Sequence, residues 1–220
     1  MKNDDNVIVA PAPWSLVGKG YIILIKLDPE FVKYRGFVPE ALSASFKGGL
    51  GTIMYVDYIS SDVGPYKELL FIPGMFSFGG KDHFSITKIY VSTIASVING
   101  QNNWGIPKEL ADFEVVKEGS IDRIRISKGN HLCAELCFRS YPLSIPVTTS
   151  IVPSRLHTLV HLHKGKKYIT IPRARGSISF ARFIGATIDE SLFPDFTQGR
   201  IFCAARVSRF LMVFPKATIL

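Results

Sequence analysis

The sequence predicts an α+β fold that is mainly β, a large curved sheet or antiparallel β-barrel with a few flanking helices. Three observations point there. Short segments rich in Val, Ile, Phe, Tyr and Thr recur along the chain, bounded by Gly, Pro, Asn or Asp, which is the pattern of closely spaced strands. Helix start signals are few. Apolar residues make up 47% and charged residues 20% of 220, a core-forming composition that excludes a disordered chain. One domain is expected over residues 1–220.

Taken in order, the first strand is expected over Tyr21–Leu27. Asp28-Pro29-Glu30 offers a capping carboxylate, a proline at the first helical position and an acid in the first turn, so a short helix should run to near Gly36. Gly48-Gly49-Leu50-Gly51 lacks the Lys-Ser/Thr ending of a phosphate loop and reads as a turn. Strands are expected over Thr52–Ser60, Tyr66–Ile72 and Phe84–Val91. Ser92–Asn99 is a helix candidate stopped by Asn99-Gly100. Pro107-Lys108-Glu109-Leu110 should open a third, very short helix. Phe113–Val116, Ile121–Ser127 and Leu132–Arg139 follow as strands. Leu156-to-Pro172 reads as a hairpin turning at Lys164-Gly165-Lys166. Ser177–Phe183 and Ile201–Phe214 complete the set, the last long enough to be broken.

Charge is uneven. Lys and Arg number 26 against 18 Asp and Glu, a net +8, and residues 155–220 hold eleven basic and three acidic residues, which accounts for all of it. A local basic field favours an anionic partner. Arg173, Arg175 and Arg182 are placed to draw anionic substrate or to pair across a subunit interface. The Lys164–Lys167 turn has only Tyr168 beside it, too little for a nucleic-acid stacking platform, so no nucleic-acid partner is expected. No apolar run reaches the ~20 residues of a membrane helix. The stretch MKNDDNVIVAPAPW lacks the apolar core of a secretion signal, so no membrane partner and a cytoplasmic location are expected. Cys133, Cys137 and Cys203 are too few for a disulfide framework. Cys133 and Cys137 should share a strand face as core residues. His157, His161 and His163 share a predicted strand face, but no Asp, Glu or Cys lies between His157 and His163 to complete a metal site, and none is expected.

Two residues carry candidate chemistry. Lys108 sits among Trp104, Ile106 and Leu110. Desolvation there would disfavour its ammonium form, and a helix starting at Pro107 would act in the same direction. A neutral amine is what a Schiff-base nucleophile requires. Read from spacing alone, the better account of Lys108 is a surface lysine in a first helical turn. Glu68 shares a strand face with Tyr66 and Leu70. A carboxylate there is either buried and able to transfer a proton or on the polar face of an edge strand.

Together with these residues, Pro13-Trp14 followed by Gly18-Lys19-Gly20-Tyr21, then Gly64-Pro65-Tyr66-Lys67-Glu68-Leu69, Ile89-Tyr90-Val91-Ser92 and above all Asn103-Trp104-Gly105-Ile106-Pro107-Lys108-Glu109-Leu110 resemble the acetoacetate decarboxylase family. The resemblance runs through most of the chain. It implies a cone-like β-barrel enclosing an apolar pocket, a homo-oligomer, no cofactor and a small keto acid as substrate. It implies that Lys108, its pKa lowered, forms an imine with the keto group and that Glu68 positions substrate or moves a proton. Tyr66, Trp104 and Ile106 would line the pocket. Three departures stand out. Glu109 replaces a second lysine, Thr52 stands where a second pocket carboxylate is expected, and the family's arginine near the first strand has no clear equivalent, Lys19 being the nearest cation; Thr52 and Lys19 are expected at these places to contact substrate.

Three functions follow. The first is a cofactor-independent lyase that decarboxylates a β-keto acid, such as acetoacetate. The second is a Schiff-base enzyme of the same fold doing aldol or dehydration chemistry. The third is a non-catalytic barrel that binds a small apolar carboxylate.

Overall fold

Alternation of apolar and polar residues sets where the chain becomes strand, and long-range pairing extends those strands well past their local signals. The computed structural model describes residues 8–220, so residues 1–7 of the N-terminal stretch lie outside the described residues. The chain runs β1 (Trp14–Lys26), α1 (Pro29–Arg35), α2 (Glu40–Ser43), β2 (Phe46–Gly48), β3 (Gly51–Ser60), β4 (Tyr66–Ile72), β5 (Met75–Phe78), β6 (Lys81–Phe84) and β7 (Lys88–Val91). It continues through α3 (Ile94–Trp104), β8 (Lys108–Leu110), β9 (Asp112–Glu118), β10 (Ile121–Lys128) and β11 (His131–Thr148). It ends with β12 (Leu159–His163), β13 (Lys166–Thr170), β14 (Arg173–Ile188), β15 (Arg200–Phe214) and β16 (Thr218–Ile219).

Ten strands form one sheet in the order β8-β7-β4-β3-β1-β15-β14-β11-β10-β9, and six form a second, β16-β13-β12-β6-β5-β2. The large sheet curls until non-neighbouring strands touch. Tyr21 of β1 stacks on Phe138 of β11 with ring centroids 4.2 Å apart, and its hydroxyl donates to Asp122 of β10. Near the opening, Glu109 of edge strand β8 pairs with Lys128 of β10 at 2.7 Å. The result is a nearly closed barrel. Its interior is packed solid by Ile23, Ile53, Phe71, Leu136 and Phe138, all fully buried. Truncating such a phenylalanine to alanine typically costs ~3–5 kcal/mol.

A second core lies on the barrel's outer face, where Trp14, Val56, Leu70, Ile89 and Trp104 pack beneath α3 and the small sheet. The pocket implied by the resemblance is therefore not inside the barrel. The inner strand positions hold large side chains that meet across its axis, so the open space falls on the outer face.

The first helix matches expectation: Asp28 accepts a hydrogen bond from the Glu30 N–H at 2.8 Å and Gly36 closes the end. Four expectations are corrected. α3 runs past Asn99-Gly100 to a left-handed Gly105 at φ 63°. Asn99 is buried and bridges the Ala10 N–H and the Ile8 carbonyl, so tertiary bonds override its stop signal. The segment Phe84–Val91 divides, because the chain crosses from the small sheet to the large one between β6 and β7. Pro107–Leu110 opens no helix; Lys108–Leu110 is a strand parallel to β7. Finally, a register shift next to Cys133 turns it into the inner core. Cys137 pairs with Arg123 and stays half-buried, so the two cysteines do not share a face.

Candidate active site

Lys108 is placed by α3 as much as by its own strand. Ser96 and Gly100 lie four residues apart on α3 and so face the same way. A Cβ on Gly100 would stand 2.5 Å from Cδ of Lys108, so only glycine lets the lysine pass so close to the helix. Gln101 donates from its side-chain amide to the Lys108 carbonyl at 2.9 Å, pinning the backbone. Nζ then donates to Ser96 Oγ at 3.0 Å and to Tyr66 Oη at 3.4 Å.

The third partner is Glu68. Its Oε2 lies 3.0 Å from Lys108 Nζ, and each residue is only 4% exposed. An ammonium group has three N–H donors, and each now has an oxygen. Tyr58 donates to the other carboxylate oxygen, Oε1, at 3.4 Å, and its ring lies 4.6 Å from that of Tyr66. Burial pushes the Tyr66 phenol up to about 12, and burial followed by the Glu68 charge raises Tyr58 as well. Both remain protonated donors at neutral pH.

The electrostatics of Lys108 differ from the sequence expectation. Burial pulls its pKa down, but the Glu68 charge, then Tyr66, and their hydrogen bonds outweigh it, and the net shift is upward from 10.5. β8 is a strand, so no helix N-terminus lies under the amine to oppose this. At rest the amine is therefore held as ammonium.

The other candidate residues divide by strand parity. Lys108 pairs with Ile89 and Glu109 with Tyr90, so the two neighbours point to opposite faces of the sheet. Glu109 reaches Lys88 at 2.6 Å and Lys128 at 2.7 Å. Burial alone would raise the Glu109 carboxyl, but these two lysines hold it below its ordinary range. Thr52, Tyr66, Trp104 and Ile106 line one cavity with Lys108 and Glu68. Lys19 does not. It lies opposite Asp57, whose other neighbour is Lys67, and it pairs with that carboxylate at 3.6 Å, half exposed, on the side of β1 that carries Tyr21 and Ile23. Parity along β1 turns it away from the cavity, and the expectation that it binds substrate is corrected.

Ser96 and Tyr58 were not singled out in the sequence. Small residues at 96 and 100, immediately before the lysine block, were a usable signal. Tyr58 had none until its register opposite Tyr66 was known.

The cavity has a volume of about 610 Å³ and an almost wholly apolar wall, including Leu16, Met54, Leu70, Ile86 and Phe210. Arg175 stands at its rim, whereas Arg173 belongs to a separate shallow depression. His157 precedes β12, and only His161 and His163 lie on that strand. His161 is buried and accepts from the Ile86 N–H at 3.3 Å. Among the described residues no group of His, Cys, Asp and Glu is placed to hold a metal, and no helix is long and apolar enough to cross a membrane.

Residues 9–163 match the sequence profile of the family described as Acetoacetate decarboxylase (ADC). No curated protein sequence matches the chain. Among solved structures, an acetoacetate decarboxylase from Legionella pneumophila aligns over 100% of this chain and 92% of its own, at 13% identity and a TM-score of 0.72. An acetoacetate decarboxylase-like enzyme from Sphingomonas wittichii RW1 covers 96% of this chain and 94% of its own, at 13% identity and a TM-score of 0.69. The enduracididine biosynthesis enzyme MppR covers 99% and 90%, at 14% identity and a TM-score of 0.66. At such identities the structural likeness speaks for the fold.

Proposed function

The chain belongs to the acetoacetate decarboxylase family, and from that premise we propose that it is a cofactor-independent lyase in which Lys108 forms an imine with a β-keto acid and Glu68 moves the protons. The observation that carries this reading is the 3.0 Å contact between Nζ and the Glu68 carboxylate, both buried, on the wall of an apolar cavity.

The geometry orders the steps. Lys108 must first lose a proton, and Glu68 is the carboxylate in contact to accept it. The transfer converts an ion pair into two neutral groups, a change that a low-dielectric, apolar site favours once substrate excludes water. The free amine attacks the ketone, displacing its longest partner, Tyr66 Oη at 3.4 Å. Glu68 returns its proton to the departing hydroxyl, water leaves, and a protonated imine remains beside the carboxylate. The bond between the carboxylate carbon and its neighbour then breaks, CO2 departs, and the electron pair moves onto the imine nitrogen. Protonation of the enamine at carbon and hydrolysis by one water give the ketone and restore the lysine. Tyr58 keeps Glu68 oriented throughout.

Borohydride reduction during turnover, followed by peptide mass analysis, tests the reading. It should leave an alkyl group on Lys108, and an unmodified Lys108 with every keto acid tried would overturn it. The second reading keeps the imine but passes the enamine to an aldehyde. A cavity of about 610 Å³ has room for two reactants, and one solved structure of MppR holds the condensation product of pyruvate and imidazole 4-carboxaldehyde. CO2 release from acetoacetate separates the two. Assembly as a homo-oligomer is part of the same proposal. It is supported by apolar side chains left bare beyond the barrel, with Leu143 82% and Ile151 84% exposed.

A further inference from the structure

The cavity is far larger than a four-carbon keto acid requires. Its volume of about 610 Å³ corresponds to that of about twenty waters at ~30 Å³ each, yet its wall offers such waters few polar partners. The buried polar groups meet at Lys108, Glu68, Tyr58 and Tyr66, beside the edge strand β8; Thr52, Thr148, Thr149, His157 and Arg175 are further polar side chains on the lining. From there the wall extends across the sheet.

One row shows the direction. Glu68, Val56, Gly20, Val207 and Ile178 are register partners on successive strands β4, β3, β1, β15 and β14. Every member of the row lines the cavity. Four strand spacings of ~4.8 Å make this path roughly 19 Å along the curved sheet. Phe84, Ile86 and Leu159 of the small-sheet side close over it, and Val147, Val152 and Leu156 continue the apolar surface at its rim. The space is elongated, apolar, and reactive at one end.

We propose that the substrate is a β-keto acid with a medium-length apolar tail. Its keto carbon meets Lys108, and its tail lies along the row from Val56 to Ile178. The inference rests on the imine reading of Lys108 and adds the substrate class to it. The chemistry is unchanged: the carboxylate leaves as CO2, a proton replaces it on the adjacent carbon, and the product is a methyl ketone that retains the tail. Each methylene moved from water to the wall should favour the longer substrate by about fourfold.

The test compares 3-oxooctanoate with acetoacetate on the full chain, by kcat/KM and by borohydride trapping read as intact and peptide mass. The mass of the adduct on Lys108 also tells whether CO2 left before reduction. The expected result is trapping with both acids and a kcat/KM for 3-oxooctanoate higher by about 250-fold, from four added methylenes at about fourfold each. Ile178→Trp and Val207→Trp obstruct the row at two places. Each should lower the ratio of the two kcat/KM values about tenfold or more, and either variant suffices if the other does not fold. Equal kcat/KM values with Lys108 trapped by both acids would overturn the tail proposal and leave the imine reading standing. Trapping by neither would overturn the imine reading itself. Consumption of an apolar aldehyde together with pyruvate, with 3-oxooctanoate inert, would show that the space serves a second reactant and would also overturn the proposal.

Discussion

Removing the Glu68 carboxylate separates two effects that the lysine-carboxylate contact combines. In Glu68→Gln the main cause of the upward shift at Lys108 is gone and burial remains, so the amine should lose its proton at lower pH. Borohydride trapping of a reactive ketone should then extend to lower pH than in the wild type. Turnover should nevertheless fall by about 10²–10⁴-fold, because no group is left to relay protons. A pH profile that does not move would mean that Glu68 does not control the amine. Glu109 poses the complementary question. The departure from a second lysine at this position looks chemically important in sequence, yet Glu109 faces Lys88 and Lys128 on the other side of the sheet. Glu109→Lys should leave the pH dependence of trapping unchanged. It should destabilise the protein by about 1–2 kcal/mol, a modest figure because these groups are partly screened by solvent. Urea unfolding alongside the trapping profile checks both halves.

At the scale of elements, α3 exists in its observed form to serve the lysine that follows it. Gly100→Ala should raise intrinsic helix propensity by about 1 kcal/mol. Its new methyl would nevertheless displace the Lys108 side chain, from whose Cδ it would be 2.5 Å. A misplacement on the order of 1 Å can cost about 10²-fold in rate. The expected variant is folded, with a melting temperature at or near that of the wild type, and nearly unreactive towards keto acids. The small sheet makes a different prediction. Burial pushes the His161 imidazole down to about 3 from an ordinary 6.5. The unfolded chain therefore takes up a proton here that the folded chain refuses. Stability is unaffected by this residue above pH 6.5 and declines below it, by roughly 1 kcal/mol per pH unit. Urea midpoints at pH 7 and pH 5 should diverge more in the wild type than in His161→Gln. Elements whose signals are local were legible in sequence: Tyr66–Ile72 matches its strand end to end, and α1 starts at its capping aspartate. Elements decided by distant partners were not. β11 passes Pro142 at a break in its register with β14 and resumes through Pro146, which pairs with Ser177, and β8 is extended because β7 offers it an edge. The site shows the same division. Lys108 and Glu68 were singled out by the resemblance of their sequence blocks to the family and not by spacing, whereas Tyr58, Ser96 and the orientation of Lys19 depend on register.

For the whole molecule, the two faces of one sheet divide the work. The inner face is packed tightly and the outer face keeps an open cavity, so the strands common to both join a rigid core to a reactive surface. The proposed assembly would bury the exposed apolar residues on the distal part of β11 and just after it. Light scattering should report a mass that is a multiple of the chain mass, and Leu143→Glu combined with Ile151→Glu should reduce it. An unaltered mass for the double variant would place the contact elsewhere. The pairing of β1 with β15, which sets Trp14 opposite Phe214, also bears on how the protein is made. During synthesis the first strand emerges long before the strand that must lie beside it. At about 5–20 residues per second the wait lasts roughly 10–40 s. Throughout that time β1 has β3 on one side and an unsatisfied edge on the other, an invitation to wrong pairing. Closing so distant a contact also makes folding slow for the chain's size. Ribosome-bound chains cut just before residue 200 should therefore remain protease-sensitive and chaperone-dependent, although Lys108, Glu68 and most of the cavity wall have already been synthesised.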